Sequence, residues 1–394
     1  MRILFFSPAP MRKTLGMAKA ILELSEALRE LGWTCDCIDP PAIAPSPEVF
    51  ERARSKPSAN AVYGEWLRDY LVAHAGEYDV IDYEHAYLPY PRSSFPSRTL
   101  FVARAQLLSL NLERIHLPTK PGFRAQVGRL LFGARRVRQL HAMIADARRT
   151  MREADLVVVL NSSDRDTLTR EGFPPDRVVV VPNGLDDHRL SQLAAVPAPS
   201  QASPAVAFLG TFDPRKGARE LPAIMRRMAA AIPGVSFRLL GTAGMYPDEA
   251  SVLRAIPRSL RAVVEVRARF EPEELPHLLN GCTIGIFPSH LEGFGLAVLE
   301  MLAAGLTVVA YRVPGPSDLL PDSLLIPAGD WTALADRAIA LLGDPTVLSE
   351  GRAWARARAA DFRWKEIAGR VAATYEHHLG RLRSREVDCA DECG

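Results

Sequence analysis

Short apolar segments alternate with helical periodicity along the chain, and this alternation strongly limits the folds open to it. A strand is predicted at 2–6, then a helical stripe of apolar residues from Met17 to Leu31, then a strand at 33–38. Continuous apolar strands separated by helices are typical of parallel sheets that helices cover on both faces. The pattern therefore predicts an α/β fold with doubly wound sheets.

The same alternation occurs twice, which predicts two domains. Further strands are predicted at 80–81, 99–103, 156–160 and 178–181, and a second set at 206–209, 237–240, 263–266, 284–287 and 307–311. A length of 394 residues also exceeds what one compact core usually supports. The Ala-, Pro- and Ser-rich stretch 186–204 indicates a linker. We expect domains at 1–190 and 200–362, followed by a helix at 363–380 that returns to the first domain.

Composition argues against several classes of protein. A net charge of +2 gives no indication of nucleic-acid binding, and no apolar run approaches the ~20 residues of a membrane span. The first strand is predicted to begin almost at Met1, so we expect no signal peptide. Five scattered cysteines favour a reducing compartment, and Cys389 and Cys393 are interpreted as idle thiols rather than metal ligands. We expect a soluble, cytoplasmic protein.

Two glutamates flank a glycine-rich segment that follows a predicted strand. Glu292 precedes 293–295, a helix begins near Leu296, and Glu300 lies inside that helix. A helix N-terminus attracts anions, and glycines let a phosphate approach the backbone. Carboxylates accept hydrogen bonds from sugar and ribose hydroxyls. Either glutamate alone is better explained as a cap or an exposed side chain, but the combination predicts a binding site.

A second glycine-rich segment follows the first strand of the C-terminal half. Gly210 ends that strand, and Arg215 and Lys216 come shortly afterwards. A cation at this place suits a diphosphate leaving group, although a solvated lysine is the default explanation for a lone Lys-Gly. No Gly-x-Gly-x-x-Gly follows the first strand of either half, which argues against a dinucleotide cofactor.

These segments resemble the retaining glycosyltransferases of family 4, which have the GT-B fold of two Rossmann-like domains facing across a cleft. The family has two glutamates separated by seven residues around Glu-Gly-Phe-Gly-Leu, as at 292–300, and the match continues through 303–305 and 308–310. Leu239-Leu240-Gly241-Thr242 resembles the family's glycine turn near the donor. The resemblance is strong over about 180–379 and loose before it.

The resemblance implies transfer of a sugar from a nucleotide diphosphate sugar to an acceptor hydroxyl with retention, and no other cofactor. It implies catalytic roles for Glu292 and Lys216, with Glu292 addressing the donor sugar and Glu300 the ribose. The implied donor-binding residues are Gly16, Gly210, Arg215, Lys216, Gly241, Arg269, Gly293, Phe294, Gly295, Leu296 and Glu300. In this resemblance cations and backbone N–H groups neutralise the diphosphate, so no metal is expected.

One position departs from the family pattern Gly-Arg-x-x-x-x-Lys-Gly. Thr211 stands where an arginine helps to hold the diphosphate. Arg215, or Arg12 and Lys13 of the first loop, are candidates to replace its charge. The departure keeps open a catalytically degenerate sugar-nucleotide-binding protein. The enzymatic alternatives are a sugar phosphorylase and a nucleotide-sugar epimerase.

Acceptor-binding residues are predicted where strands of the N-terminal half end. Many family members carry a histidine there, and His85 and Gln106 follow two of these strands, with His116 as a weaker candidate. We expect His85 to act in catalysis or acceptor binding, with a hydrogen-bonded loop histidine as an equal alternative. The acceptor could be a sugar, a natural product or a glycolipid.

Residues 120–152 carry nine basic side chains against one acid, Asp146. With the neighbouring apolar residues they suggest a weak peripheral contact with the inner membrane face, or attraction of an anionic acceptor. A solvated helix face is the favoured interpretation, because charged helix faces are usually just solvated.

Overall fold

The chain forms two compact units, each built around its own parallel sheet. The computed structural model describes residues 1–13, 16–56, 58–114, 123–199 and 204–392, with the side chains of 113–136 and 385–392 outside that description. Unit 1 comprises Met1–Pro182 and Trp364–Gly394, and unit 2 comprises Asn183–Arg363. The chain therefore passes from unit 1 to unit 2 after Pro182, whereas the sequence places the boundary at 190.

Unit 1 contains a six-stranded parallel sheet in the order β2-β1-β3-β4-β5-β6. Elements are numbered along the chain. The strands are β1 (Arg2–Phe6), β2 (Thr34–Ile38), β3 (Val80–Glu84), β4 (Leu100–Ala105), β5 (Leu156–Val159) and β6 (Val178–Val180). The helices are α1 (Gly16–Glu30), α2 (Pro40–Ile43), α3 (Pro47–Arg54), α4 (Ala59–His74), α5 (Phe123–Glu153), α6 (Ser162–Arg170) and α15 (Trp364–Glu392).

The helix α1 shows how sequence pattern becomes structure in unit 1. Its apolar stripe, including Ile21, Leu24 and Leu28, is buried against the sheet. Gly32 follows with φ of 84°, a left-handed conformation that glycine adopts without steric cost and that commonly terminates helices. The chain then enters β2.

The C-terminal helix α15 is joined to unit 1 by buried polar contacts. The indole of Trp364 donates to Glu23 at 2.8 Å. The hydroxyl of Tyr375 donates to Asp82 at 2.6 Å and accepts from Arg104 at 2.8 Å. Because Asp82 and Arg104 lie in neighbouring strands, this network fixes α15 to the centre of the sheet.

Unit 2 contains a second six-stranded parallel sheet, in the order β12-β11-β10-β7-β8-β9. The strands are β7 (Ala205–Leu209), β8 (Ser236–Leu240), β9 (Val264–Arg267), β10 (Cys282–Phe287), β11 (Thr307–Tyr311) and β12 (Leu325–Ile326). The helices are α7 (Asp187–Ala194), α8 (Leu221–Ala231), α9 (Glu249–Ala255), α10 (Leu275–Leu279), α11 (Leu296–Ala303), α12 (Pro316–Leu319), α13 (Trp331–Leu342) and α14 (Pro345–Ala360).

The predicted linker at 186–204 is wrong for its first half, which forms α7. The carboxylate of Asp186 accepts the backbone N–H of Arg189 at 2.6 Å and so caps the helix. Leu193 is fully buried. Capping and burial of one face therefore outweigh the Ala-, Pro- and Ser-rich composition of the segment.

Each sheet has one place where the strand order reverses direction. In unit 1 it lies between β1 and β3, and in unit 2 between β7 and β10. Loops that leave the carboxyl ends of the two strands at such a point diverge to opposite faces of the sheet, and ligands of α/β folds usually bind there. These two points are therefore where functional side chains are expected.

Candidate donor-binding site

The loop after β7 is ordered by an aspartate. Asp213 accepts the backbone N–H groups of Arg215 at 2.9 Å and Lys216 at 3.2 Å, and the Thr211 hydroxyl also donates to it. Pro214 follows Asp213 directly, which is a favoured start for a helical turn. Asp213 thereby places the Lys216 side chain at the switch point of unit 2.

Two of the predicted catalytic side chains, Lys216 and Glu292, contact each other. The ammonium of Lys216, which follows β7, is ion-paired with the carboxylate of Glu292, which follows β10. The hydroxyl of Ser289 donates to the same carboxylate at 2.6 Å. Lys216 also lies 5.3 Å from the ring centre of Phe287. Glu292 is only 7% exposed, so this is a largely desolvated charge pair whose geometry is held by a buried serine.

Two glycines of this region are required by close backbone approach. Gly217 has φ of 83°, and a Cβ there would lie 2.3 Å from the carbonyl oxygen of Pro288. Gly315 has φ of 85°, and its Cβ would lie 2.4 Å from the carbonyl oxygen of Phe294. The absence of side chains at these two positions lets the loops that follow β7, β10 and β11 pack closely together.

The helix α11 begins directly after the glycine-rich segment. Gly295 is its N-cap residue, with φ of 90° and no side chain to occupy the first-turn N–H groups. Leu296 is the first residue of the helix, and Gly293 lies buried in the preceding loop. The helix dipole and these N–H groups favour an anion at this end.

Glu300 is held by an arginine that sequence reasoning did not identify. Arg189 of α7 donates to the Glu300 carboxylate at 3.2 Å and to the carbonyl oxygen of Pro272. Arg189 is 6% exposed and Glu300 is 9% exposed, so each needs a charged partner. The pair is 111 positions apart in sequence. No local pattern signals a contact of that separation.

The other predicted donor-binding residues differ in their surroundings. A Cβ on Gly210 would lie 3.8 Å from the Lys216 side chain, and one on Gly241 would lie 3.3 Å from the ring of Phe270. Arg269 is exposed and donates to the carbonyl oxygen of Pro247 at 2.9 Å. Gly210 therefore adjoins Lys216, while the Arg269 side chain is directed to a different loop.

Phe294 is buried and packs into unit 2. Its ring lies 5.6 Å from that of Phe362 in an edge-on arrangement. A packing role is therefore evident for this side chain, and a role in donor binding stays a prediction.

The structure supplies a second cation near Glu292 although Thr211 replaces the family's arginine. The guanidinium of Arg215 donates to the carbonyl oxygen of Leu291 at 3.2 Å, beside Glu292. Lys13, another candidate, lies in unit 1 and pairs with the exposed Glu26 at 2.8 Å. Within unit 2, Arg215 is therefore a cation that lies next to the predicted site.

A further polar cluster, also missed from sequence, lies behind the loop after β10. Glu220 accepts the Tyr311 hydroxyl at 2.6 Å and lies 3.0 Å from Nε2 of His290. Burial, followed by this hydrogen bond to Glu220, raises the pKa of Tyr311. The His290 backbone N–H donates to the Arg215 carbonyl oxygen at 2.8 Å. The cluster thus links the two loops that carry Lys216 and Glu292.

His85 of unit 1 has both ring nitrogens engaged. Nε2 accepts the backbone N–H of Ser109 at 3.1 Å and contacts its hydroxyl at 2.8 Å. This acceptor role places the proton on Nδ1, which contacts the carboxylate of Glu84. His85 is 2% exposed. The geometry favours the alternative of a hydrogen-bonded loop histidine, and a catalytic role for His85 stays a prediction.

Gln106 and Gly16 also belong to unit 1. Gln106 is 8% exposed, and its amide makes no hydrogen bond recorded with another described residue. Gly16 begins α1, and a Cβ there would meet no atom within 4 Å. His116, Cys389, Cys393 and the side chains of the basic segment up to residue 136 lie outside the described part.

Within the described residues, no helix is long and apolar enough to cross a bilayer. The same part of the chain contains no group of three or more His, Cys, Asp or Glu side chains arranged to hold a metal ion.

Family models match both units. The model described as "Glycosyltransferase Family 4" matches residues 15–189, and the model described as "Glycosyl transferases group 1" matches residues 203–344. The chain belongs to the family 4 glycosyltransferases. This confirms the resemblance inferred from the two glutamates and the lysine, and it extends the match into the N-terminal half.

Curated relatives of this family include enzymes with different names. The chain is 31% identical over 266 residues to D-inositol 3-phosphate glycosyltransferase of Acidothermus cellulolyticus, a match that covers 60% of this chain and 58% of the relative. It is 28% identical over 244 residues to glycogen synthase of Mycobacterium tuberculosis, covering 60% and 57%. The matches thus span less than two thirds of these relatives.

Solved glycosyltransferase structures confirm the GT-B fold. Sucrose-phosphate synthase of Thermosynechococcus elongatus aligns with a TM-score of 0.73 at 21% identity, covering 96% of this chain and 99% of that one. HepE of Anabaena, solved in complex with UDP and glucose, aligns with a TM-score of 0.66 at 18% identity, covering 96% and 100%. At these identities the likeness establishes the fold.

Proposed function

We propose that the protein transfers a sugar from a nucleotide diphosphate sugar to an acceptor hydroxyl, with retention of anomeric configuration and without a metal ion. The observation that carries this proposal is the contact between Lys216 and Glu292 at the switch point of unit 2. This contact places a cation, Lys216, that can stabilise a diphosphate next to a carboxylate, Glu292, that can accept a hydrogen bond from a sugar hydroxyl. Family membership supports the same reaction class.

We assign the donor to unit 2. Lys216 and Arg215 would balance the charge that develops on the departing diphosphate, together with the N–H groups at the start of α11. A diphosphate competes with Glu292 for Lys216, and a carboxylate released in this way can orient the donor sugar. Glu300, oriented by Arg189, would accept the ribose hydroxyls.

We assign the acceptor to unit 1. The acceptor hydroxyl attacks the anomeric carbon of the donor sugar on the same face from which the diphosphate leaves. The leaving phosphate oxygen takes the hydroxyl proton, so that no separate base is required. The C–O bond to the diphosphate breaks as the new glycosidic bond forms. Charge balance rests on Lys216 and Arg215, which is why a metal ion is not part of this proposal.

A ligand panel tests donor recognition. UDP, GDP, ADP and dTDP and their glucose or mannose derivatives are compared by thermal shift, with magnesium and with EDTA. Ligand binding to the folded state raises Tm by mass action, so one nucleotide should raise it equally under both conditions. A rise only with magnesium contradicts metal independence. No rise with any nucleotide contradicts the proposal and favours a degenerate site.

Variants test the two central residues. Lys216→Ala and Glu292→Gln should each lower the rate of donor turnover by about 10²–10³, the usual cost of losing one preorganised charge contact. Lys365→Ala and Glu366→Gln, exposed positions of α15, are the matched controls and should keep full activity. Full activity in either site variant contradicts the assignment. Phosphate-dependent release of sugar 1-phosphate would instead identify a phosphorylase.

A further inference from the structure

Unit 1 contains a pocket whose described lining residues all belong to that unit. Its volume is about 560 Å³, within the range of small-molecule sites. It lies among α4, α5 and the loop that follows β3, and its lining includes Tyr87, Tyr90 and Met143. The Tyr87 ring lies 5.9 Å from that of Phe6, the last residue of β1. The pocket therefore adjoins the switch point of unit 1, where α/β folds usually bind ligands.

The wall of this pocket is shaped by a close backbone contact. A Cβ on Gly64 of α4 would lie 2.8 Å from the carbonyl oxygen of Tyr87. Glycine at this position lets α4 approach the loop after β3 closely. Neighbouring residues of α4 and α5 line the cavity. The pocket is thus bounded by two helices and a closely packed loop.

The charge of the pocket is negative. Glu65 and Asp146 line it, and no lysine, arginine or histidine is among the lining residues that the structure describes. The nearby Arg68 is 2.6 Å from Asp69 and lies over the Tyr90 ring, outside the lining. Neither Glu65 nor Asp146 forms a hydrogen bond or ion pair recorded with another described residue. A described lining that holds two carboxylates and no cation favours a cationic ligand.

Asp146 is the more buried of the two acids. Burial raises the pKa of its carboxyl, and the exposed Arg149 acts in the opposite direction. A carboxylate that has lost part of its hydration gains more from a direct contact with a cation than an exposed one does. The amides of Asn60 and Gln139, also in the lining, add hydrogen-bonding groups for hydroxyls.

We propose that this pocket binds the acceptor, and that the acceptor is a sugar or aminocyclitol that carries a protonated amine. Glu65 and Asp146 contact the amine, and Tyr87 and Tyr90 contact the ring. A phosphorylated acceptor would meet two carboxylates and no described cation. This proposal rests on the proposed function, since it names the acceptor class of that reaction.

Direct binding to the full chain tests the acceptor class. The probes are the β-1,4-linked glucosamine disaccharide, its N,N′-diacetyl form, which has no charge, and glucosamine 6-phosphate. Isothermal titration calorimetry should give at least about tenfold tighter binding of the free amine than of the diacetyl form. Equal binding of these two, tighter binding of the phosphate, or no binding of any probe overturns the proposal.

Variants locate the binding. Glu65→Gln and Asp146→Asn should each reduce the preference for the free amine by about threefold or more, and Ala142→Trp should block both disaccharides by filling the pocket. Asp166→Asn, an exposed acid of α6 outside the lining, is the matched control. An equal loss in Asp166→Asn, or unchanged binding in all three pocket variants, overturns the proposal.

A separate titration of each variant with UDP distinguishes this inference from the proposed function. Glu65, Asp146 and Ala142 lie in unit 1, whereas the proposed function assigns the nucleotide to unit 2, so their variants should bind UDP as the unmodified chain does. Intact UDP binding without amine preference overturns the acceptor class alone. Absence of binding to every nucleotide overturns the proposed function.

Discussion

Arg189 and Glu300 form a charge pair whose two members cannot be removed independently. Both side chains are about nine-tenths buried, so Arg189→Met removes the arginine that pairs with a buried carboxylate. Such a loss typically costs 3–5 kcal/mol, and we expect a decrease of about that size in the free energy of unfolding of unit 2. Affinity for the nucleotide diphosphate that the ligand panel selects should also fall, because Glu300 loses its fixed orientation. Urea unfolding and calorimetric titration with that nucleotide measure the two effects.

The double variant Arg189→Met, Glu300→Gln separates stability from binding. It removes the buried carboxylate's charge, so it should recover much of the lost stability. Affinity for the nucleotide should stay low, because the Glu300 carboxylate that is proposed to accept the ribose hydroxyls is absent. A double variant that is no more stable than Arg189→Met would show that the charge pair is not the cause of the loss.

Because Asp146 is partly buried, we expect the stability of the folded protein to depend on pH. Burial raises its pKa in the folded protein above the unfolded value. The contribution of the protonated Asp146 carboxyl to the free energy of unfolding is therefore complete at a pH below the unfolded pKa. That contribution is lost as the pH rises through the folded pKa. Asp146→Asn cannot ionise, so its Tm should exceed that of the unmodified chain at pH 7, and the difference should narrow as the pH falls toward 4. Asp166→Asn is the control, and a difference independent of pH would contradict this explanation.

Individual side-chain roles were only partly accessible from sequence. The motif around Glu292 and the Lys216-Gly217 pair indicated two side chains that the structure brings into contact. Asp213 followed by Pro214 is a local capping signal that could have been used. The contact of Arg189 with Glu300 has no such signal, because it joins residues 111 positions apart through tertiary packing.

At the level of elements, the loop after β7 depends on Gly217. Gly217→Ala places a Cβ 2.3 Å from the Pro288 carbonyl oxygen at a φ of 83°. We expect a loss of about 1–3 kcal/mol in the stability of unit 2, with displacement of the adjacent Lys216 and weaker UDP binding. Chemical denaturation and UDP titration measure both.

Gly369→Ala is the matched control for that substitution. Gly369 lies inside α15, and a Cβ there would meet no atom within 4 Å. Alanine has the higher helix propensity, so this variant should gain about 0.5–1 kcal/mol. A similar loss from both glycine substitutions would contradict the steric explanation for Gly217.

Elements with a strong apolar pattern could be predicted from the sequence. Very short elements, and elements in a stretch whose composition is typical of a linker, could not. The strands β1 and β11 have the predicted bounds, 2–6 and 307–311, because each contains a clear apolar run. The two-residue strand β12 is too short to show any period. The helix α7 lies in an Ala-, Ser- and Pro-rich stretch, where its cap and its buried Leu193 determine the structure.

At the level of the whole chain, unit 1 depends on a residue that lies far from its sheet in sequence. Tyr375 of α15 donates to Asp82 and accepts from Arg104, and all three side chains are at most 3% exposed. Tyr375→Phe leaves the ring in place but removes one hydrogen bond from each member of a buried ion pair. We expect unit 1 to lose about 1–3 kcal/mol of stability.

Hydrogen exchange can assign that loss to a unit. Because each unit has its own sheet and core, amides of β3, β4 and α15 should exchange faster in Tyr375→Phe, while those of β7 and β10 should not change. Gly217→Ala should show the reverse pattern. Faster exchange across both sheets in either variant would contradict a local origin of stability. It would mean that the two units unfold as one cooperative structure, despite their separate sheets.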